Sequence, residues 1–499
     1  MTRGSWSPRA LLGGLTLIAV GLWSSLGADP WTSLSGALSY SAPSNGPGWR
    51  DVGCADGMAS ILLPAIPPES EEFTELLLVT AFGGPDERTT VELRWESGAA
   101  APLNPETAVT WSPIPPPVPR RQALLGSSRG TLSRSVSANR SPARDEFRAV
   151  GRSHHLSDRI VDFPKSGMRG LRNEDFATTR CRVAWSGRRS RIWLPDDEPQ
   201  DARLCHWVER LGELLEQHCL PAIEADQGPW PDVDGDSALN LLVTNRVAQT
   251  SPDVKAFVRQ VDFQADVPAP WGQNWDVVYV QPGTNLDELR AILIHELTHV
   301  AQFSWCRQLL PEQPWPVPDW LTEGLAHAAE LRSDGKWDNT LPRLRTFANR
   351  PASCPLLVSD AGHSGLWRDP GQRGASAAFC DWWTRRSPKW NWPEVITTYA
   401  EQDDPWGVLA GAAFSEAYRD WTISLAADGV PMNSGDGAVT IHCENLTAGK
   451  SATLVLTGTA TAYVHLQRNA AETHTLIAEA GAEDRLQVTA LRLPATTLR

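Results

Sequence analysis

Several things are missing from this 499-residue chain, and each absence removes a class of function. After residue 26 there is no apolar run long enough to cross a bilayer, which leaves at most an N-terminal anchor. Excess positive charge is lacking too. The net charge of −14 argues against a dedicated nucleic-acid binder, whose domain should be basic. The eight cysteines make no CxxC pair, so neither a thiolate metal knuckle nor a dithiol redox motif is present. No GxSxG elbow, Walker loop or GxGxxG-then-acid pattern occurs, and nothing supports serine-hydrolase, nucleotide or dinucleotide chemistry. Internal repeats are also absent. Hydrophobic residues make up 41% of the chain, too many for a wholly disordered protein, and the length suits two to four domains.

What is present divides the chain unevenly. Arg3 and Arg9 lead into an apolar stretch over 10–26, followed by Ser25-Leu26-Gly27-Ala28. A charged start, a short apolar run and small residues at a plausible cut site predict a signal peptide over 1–27, or an uncleaved anchor, and hence an exported protein. Eight widely spaced cysteines fit export with some disulfides. Residues 28–111 read as an N-terminal β-rich domain, and Thr90-Val-Glu-Leu-Arg-Trp95 alternates with period two. A Pro/Arg/Ser-rich linker follows over 112–155. From Pro119 to Ile192, 16 Arg and one Lys face six acidic residues, a local charge of +11. That stretch reads as a solvated linker, a contact for an anionic envelope or a removable pro-segment.

Residues 156–435 carry mixed α and β signals, and 436–499 turn β-rich again. A helix is expected over 201–220 with Pro221 as its stop, and strands over 238–244 and 276–281. Thr284 with Asp287 suggests a capping box opening a helix through about 305. Further helices are expected near 319–332, with Asp319 as N-cap, and near 375–386 and 406–425. The fold class is therefore α+β, with β modules flanking a mixed core.

The chemistry concentrates in His295-Glu296-Leu297-Thr298-His299, inside an apolar helical pattern. Positions four apart on a helix lie about 40° apart around its axis, so both imidazoles leave the same face. Two neutral imidazoles so placed bind one Zn²⁺, and Glu296 stands where it can reach a zinc-bound water. Zinc lowers that water's pKa while the carboxylate takes its proton during attack on a carbonyl.

A catalytic zinc usually needs a third protein ligand. A third histidine in the HExxHxxGxxH spacing fails, because positions 302 and 305 are Gln302 and Trp305. A carboxylate from the next helix is the other option. Glu323 stands 24 residues beyond His299 in Asp319-Trp-Leu-Thr-Glu323, and becomes the expected third ligand. Glu330, seven residues on and on the same face, is either an acceptor for a ligand imidazole N–H or a surface ion-pair residue. His327 reads equally as a supporting residue or a partly exposed histidine.

With Trp320-Leu-Thr-Glu-Gly-Leu-Ala326 following it, this motif resembles the gluzincin metallopeptidases of the thermolysin-like superfamily, and among them the hyicolysin-type peptidases. An Asp-x-Asp-Gly segment leading into a strand is similar as well, at Asp232-Val-Asp-Gly-Asp-Ser-Ala-Leu-Asn-Leu-Leu-Val-Thr244. The resemblance covers about 180–430. It implies a thermolysin-like zincin core, a mixed sheet over a helical lower half with the zinc between, and an edge strand that binds an extended peptide by β-addition. The strand at 276–281, with Val277 and Tyr279, is the expected edge. One departure stands out. Where relatives carry Tyr-Gly-Ala-Ser-Tyr, this chain has Arg373-Gly-Ala-Ser-Ala377. The oxyanion stabiliser is then Arg373, or His363, or absent. Asp232, Asp234 and Asp236 are a possible Ca²⁺ cluster, although Gly235 and Val243 depart from an EF-hand loop, and a solvated turn is the other reading.

The expectation is an exported zinc endopeptidase acting on proteins or peptides, with no nucleic-acid partner and one catalytic Zn²⁺. A change of substrate, for example to a glycopeptide, would leave the same residues in place. The alternative is a catalytically inactive, peptidase-like envelope binding protein.

Overall fold

A computed structural model describes residues 47–63, 65, 73–84, 87–96, 111–114, 158–164, 175–250, 253–333, 339–358, 369–387, 390–430, 438–469, 472–481 and 484–495. The expected leader over 1–27, the linker beyond residue 114 and His363 lie outside the described residues.

Period-two alternation builds the first strands: β1 (Gly48–Val52), β2 (Cys54–Ala55), β3 (Met58–Leu63), β4 (Phe73–Phe82) and β5 (Arg88–Trp95). Strand β5 buries Thr89, Val91 and Leu93 and exposes the residues between them. By contrast β4 is buried on both faces over Glu75–Ala81, as its unbroken apolar run demands.

A six-stranded sheet follows, from β6 (Asp158–Pro164), β7 (Phe176–Ser186), β8 (Ser190–Pro195), β9 (Leu239–Val243), β10 (Ala256–Val258) and β11 (Val277–Val280). Its spatial order is β10-β11-β9-β8-β7-β6. Strands β8, β9 and β11 run parallel, while β10, β7 and β6 pair antiparallel. The sheet is therefore mixed. Between β8 and β9 lie α1 (Ala202–Leu214), a π-helical turn (Leu215–Cys219) and α2 (Leu220–Gln227). Asp201 caps α1 by accepting from the Leu204 N–H at 2.8 Å. Pro221 does not stop this helix as expected. It sits in the first turn of α2, after the π turn, where a missing N–H costs little.

The alternation of β11 corrects a second expectation. This strand has β10 on one side and β9 on the other, so it is not an edge. Val277 and Tyr279 point into a fully buried layer with Trp193, Leu242 and Phe257. Val278 and Val280 face the opposite way, against Leu293 and Leu297. The edge is β10, and it lies beside the helix that carries the histidines.

That helix is α3 (Leu286–Leu309), capped by the Asn285 side chain rather than by Thr284. After it come α4 (Asp319–Arg332), α5 (Leu341–Asn349), α6 (Pro370–Arg386), α7 (Trp392–Glu401) and α8 (Phe414–Asp428). Pro318 occupies the cap position of α4, and Asp319 lies in its first turn, a favourable place for negative charge. Helix α6 starts five residues earlier than the expected 375, because Asp369 accepts from the Gly371 N–H at 2.8 Å. Gly324 sets how closely α4 and α6 approach. A Cβ there would stand 2.6 Å from Cys380 Sγ and 2.9 Å from the Ser376 carbonyl oxygen.

The last strands are β12 (Glu444–Thr447), β13 (Ser451–Thr457), β14 (Thr459–Gln467), β15 (His474–Glu479) and β16 (Leu486–Pro494). They do not form a module of their own. Two five-stranded sheets, β1-β16-β4-β14-β12 and β13-β5-β15-β3-β2, interleave strands from both ends of the chain. The expected N-terminal and C-terminal β domains are thus one sandwich with a shared core, in which Leu77, Val79, Leu93, Leu456, Val464 and Val488 meet. Its first sheet has a second buried face against α8, where Tyr418 donates to the Thr459 carbonyl at 3.2 Å and Tyr463 to the Thr422 carbonyl at 3.4 Å. At one end of the sandwich the buried Glu75 carboxylate accepts from Arg468 at 2.7 and 2.9 Å and from Arg492 at 3.1 Å.

None of the eight cysteines is in a disulfide, so the expected disulfides are not found. Among the described residues no helix is long and apolar enough to cross a membrane.

Candidate metal centre

Helix α3 brings His295 and His299 to one face, with their Nε2 atoms 3.1 Å apart. Glu323, in the first turns of α4, completes a triangle. Its Oε2 is 3.7 Å from His295 Nε2, and its Oε1 is 3.9 Å from His299 Nε2. Two ligands of a tetrahedral zinc at bonds of ~2.0–2.1 Å stand about 3.4 Å apart, so these three edges bracket that spacing. Glu323 Oε2 is buried without a hydrogen-bond donor. That oxygen faces two imidazoles and has a cation only in Arg373, 3.6 Å away, so its hydrogen-bonding demand is unmet, and the donor set suits zinc.

Supporting residues fix the rings. The Nδ1–H of His295 donates to Glu330 Oε1 at 2.7 Å, which leaves the Nε2 lone pair aimed at the centre of the triangle. Glu330 is fully buried, which removes the surface ion-pair reading. His327 Nδ1 donates to the same oxygen at 2.8 Å, and its Nε2 accepts from Arg343 at 3.1 Å. Thr340 donates to Glu330 Oε2 at 2.6 Å. His327 is wholly buried rather than partly exposed. Arg343 and Thr340 carry no signal in the sequence, because α5 was not legible as a helix.

The helices are braced on their far sides. Thr298, between the two histidines, accepts from Gln227 at 2.9 Å, and Gln227 in turn accepts from Trp392 at 2.9 Å. Gln302 donates to Thr322 at 2.8 Å and ties α3 to α4 beside Glu323. Arg332 forms a two-pronged pair with Asp226 at 2.6 and 2.9 Å, which fastens the end of α4 to α2.

The charges are strongly perturbed. Burial pushes the Glu296 carboxyl up to about 7, against the opposing pull of His295 and of a hydrogen bond from the Val258 backbone N–H. Burial lowers His299 to about 4, helped by the neighbouring His295. His327 falls to about 3, again through burial first, so it is a neutral ring. Burial alone would raise Glu323, but the Arg373 guanidinium and then the two imidazoles hold it well below the carboxylate range. Glu330 is likewise held low, by His327 and His295 against its burial.

The remaining expected residues divide. Arg373, on α6, reaches the centre, with Nη2 3.6 Å from Glu323 Oε2. Val277 and Tyr279 lie in the sheet interior. The true edge, Ala256–Val258, is three residues long and gave no periodicity to read. Asp232, Asp234 and Asp236 do converge, with carboxylate oxygens within 4.8 Å of one another. Each is engaged, however. Asp232 accepts from the Gly235 and Ser237 N–H groups at 2.9 and 2.6 Å. Arg159 pairs with Asp234 at 2.9 Å, and Arg191 pairs with Asp236. No family model matches the chain, and no curated protein matches it.

Proposed function

We propose that this chain is an exported zinc-dependent endopeptidase of the gluzincin type, related to the hyicolysin-type peptidases. The observation that carries the proposal is the convergence of His295, His299 and the unsatisfied Glu323 oxygen beside the buried Glu296. The mixed sheet with its antiparallel edge β10 along α3, and the helices beyond, support a thermolysin-like core. Export rests on the 10–26 run alone, since cysteines that form no disulfide lend it no support.

In this reading His295, His299 and Glu323 hold the metal, which when bound supplies Lewis acidity to a carbonyl and acidifies water. Glu296 is the general base. Its carboxylate takes the proton of the attacking water and passes it to the leaving amine as the C–N bond breaks. The nearby Val258 N–H favours the charged form of that carboxylate. Glu330 fixes the His295 tautomer, and the neutral His327, with Arg343 at its far nitrogen, steadies Glu330. Arg373, 3.6 Å from Glu323, is the group that would stabilise the negative charge developing on the carbonyl oxygen.

Arginine at 373, where the hyicolysin-type peptidases that the motif resembles often carry tyrosine, favours a second reading: an inactive binding protein that retains the metal. A buried carboxylate beside the metal counts against it, because binding alone has no use for a base there. Cleavage of a diverse peptide mixture by the zinc-loaded protein, read by mass spectrometry beside Glu296→Gln, separates the two. The endopeptidase reading expects internal cuts by the wild type alone. Zinc binding with no cuts by either protein supports the binding protein.

A further inference from the structure

An aromatic column starts at a ring that holds the metal triangle and runs outward from it. The His299 imidazole stacks on Phe303, one turn further along α3, with centroids 5.8 Å apart and planes at 14°. Phe303 stacks in turn on Trp315 at 5.4 Å and 27°. Trp315 belongs to the stretch 310–318 between α3 and α4. Both Phe303 and Trp315 are half-buried, while Phe263 closes the base edge-on at 5.6 Å and is fully buried. Three segments therefore meet in one apolar wall on one side of the metal centre: the end of α3, the α3–α4 loop, and the 3-10 turn Gln260–Phe263 just beyond β10.

The direction of β10 tells which side that is. The Gln281 N–H donates to the Lys255 carbonyl at 2.8 Å, and the register pairs Phe257 with Tyr279. Alternation along an antiparallel ladder then turns the N–H and C=O groups of Ala256 and Val258 away from β11. The Val258 N–H meets Glu296, so this outward side faces the reacting groups. Antiparallel pairing is the commoner and slightly stronger mode of adding a strand. A peptide laid antiparallel on β10 has its N-terminal half over the C-terminal end of the strand, and that end leads to Phe263 and the wall.

We propose that Phe303 and Trp315 form a subsite for an aromatic or large aliphatic side chain on the N-terminal side of the scissile bond. This rests on the peptidase reading, and names the substrate class that the site takes. Flat rings in a fixed stack offer a large apolar area at little entropic cost to a ring or branched chain laid on them. A side chain of that kind gains roughly ten- to a hundred-fold over alanine when it leaves water.

The test uses the zinc-loaded full chain. Cut sites in a diverse peptide mixture locate the preference, and paired peptides with phenylalanine or alanine at that position give a ratio of kcat/KM. The ratio should be roughly ten or more in the wild type, and should fall to within about three-fold in Trp315→Ala and in Phe303→Leu, the milder change. Binding of the same pair to Glu296→Gln, measured by calorimetry, should show the same ratio without turnover and should lose it in Glu296→Gln/Trp315→Ala. Cuts that depend on Glu296 but show no preference, or show it only on the C-terminal side, overturn this subsite and leave the peptidase standing. No Glu296-dependent cut at all overturns both. An unchanged ratio in two variants that fold by circular dichroism overturns the assignment to these rings.

Discussion

Among the described residues three clusters set three acidic or imidazole groups within reach of one ion; His295, His327 and Glu330 are already joined by hydrogen bonds, and of the other two only one has the character of a metal site. In the first, His295 and His299 are buried and Glu323 is half-buried, with its Oε2 left without a hydrogen-bond donor. In the second, Asp232, Asp234 and Asp236 lie on a turn, and two arginines and two backbone N–H groups engage them. The difference lies in what each would lose without a cation. Glu323 Oε2 accepts no hydrogen bond and has a cation, Arg373, only at 3.6 Å, whereas each aspartate already accepts from N–H groups or arginines at hydrogen-bond distance. Proximity alone does not make a site; an unmet hydrogen-bonding demand does.

The largest expected effect tests the buried cluster through its base. Glu296→Gln should lower kcat by roughly 10²–10⁴-fold, with zinc content unchanged. Retained activity would break the assignment. Glu330→Gln should act on zinc affinity, with a loss of roughly 10–100-fold, because the His295 ring loses its charged acceptor. An unchanged affinity in a competition titration with a chelator would make Glu330 a packing residue only. The smallest effect belongs to the aspartate cluster. Millimolar calcium should move the unfolding midpoint by less than about 1 °C, where a site filled a hundred-fold above its Kd would add ~2.7 kcal/mol. A shift of several degrees that vanishes in Asp232→Asn would show that the arginines do not satisfy the turn.

The parts of the site that the sequence carried are those encoded within a few helical turns. His295, Glu296 and His299 share a face because of helical geometry, and Glu323 follows from its place at the start of the next apolar helix. Burial of Glu330 and His327 depends on α5, whose Thr340 and Arg343 come from a segment with no apolar stripe long enough to read. The edge strand was misplaced for a similar reason. The 276–281 run has the stronger β pattern, but edge status belongs to the sheet and not to the strand. In the terminal sandwich β4, β5, β13 and β14 were legible as strands, while their partners were not. Leu454 lies opposite Val91 and Val488 opposite Val79, pairings about 400 residues apart that period-two alternation cannot specify.

The measurement that bears most directly on the buried cluster is the zinc content of the wild type, Glu296→Gln and Glu323→Ala after dialysis, by elemental analysis. The account predicts one zinc per chain in the first two and almost none in the third. A full equivalent retained by Glu323→Ala, or none held by the wild type, would contradict it.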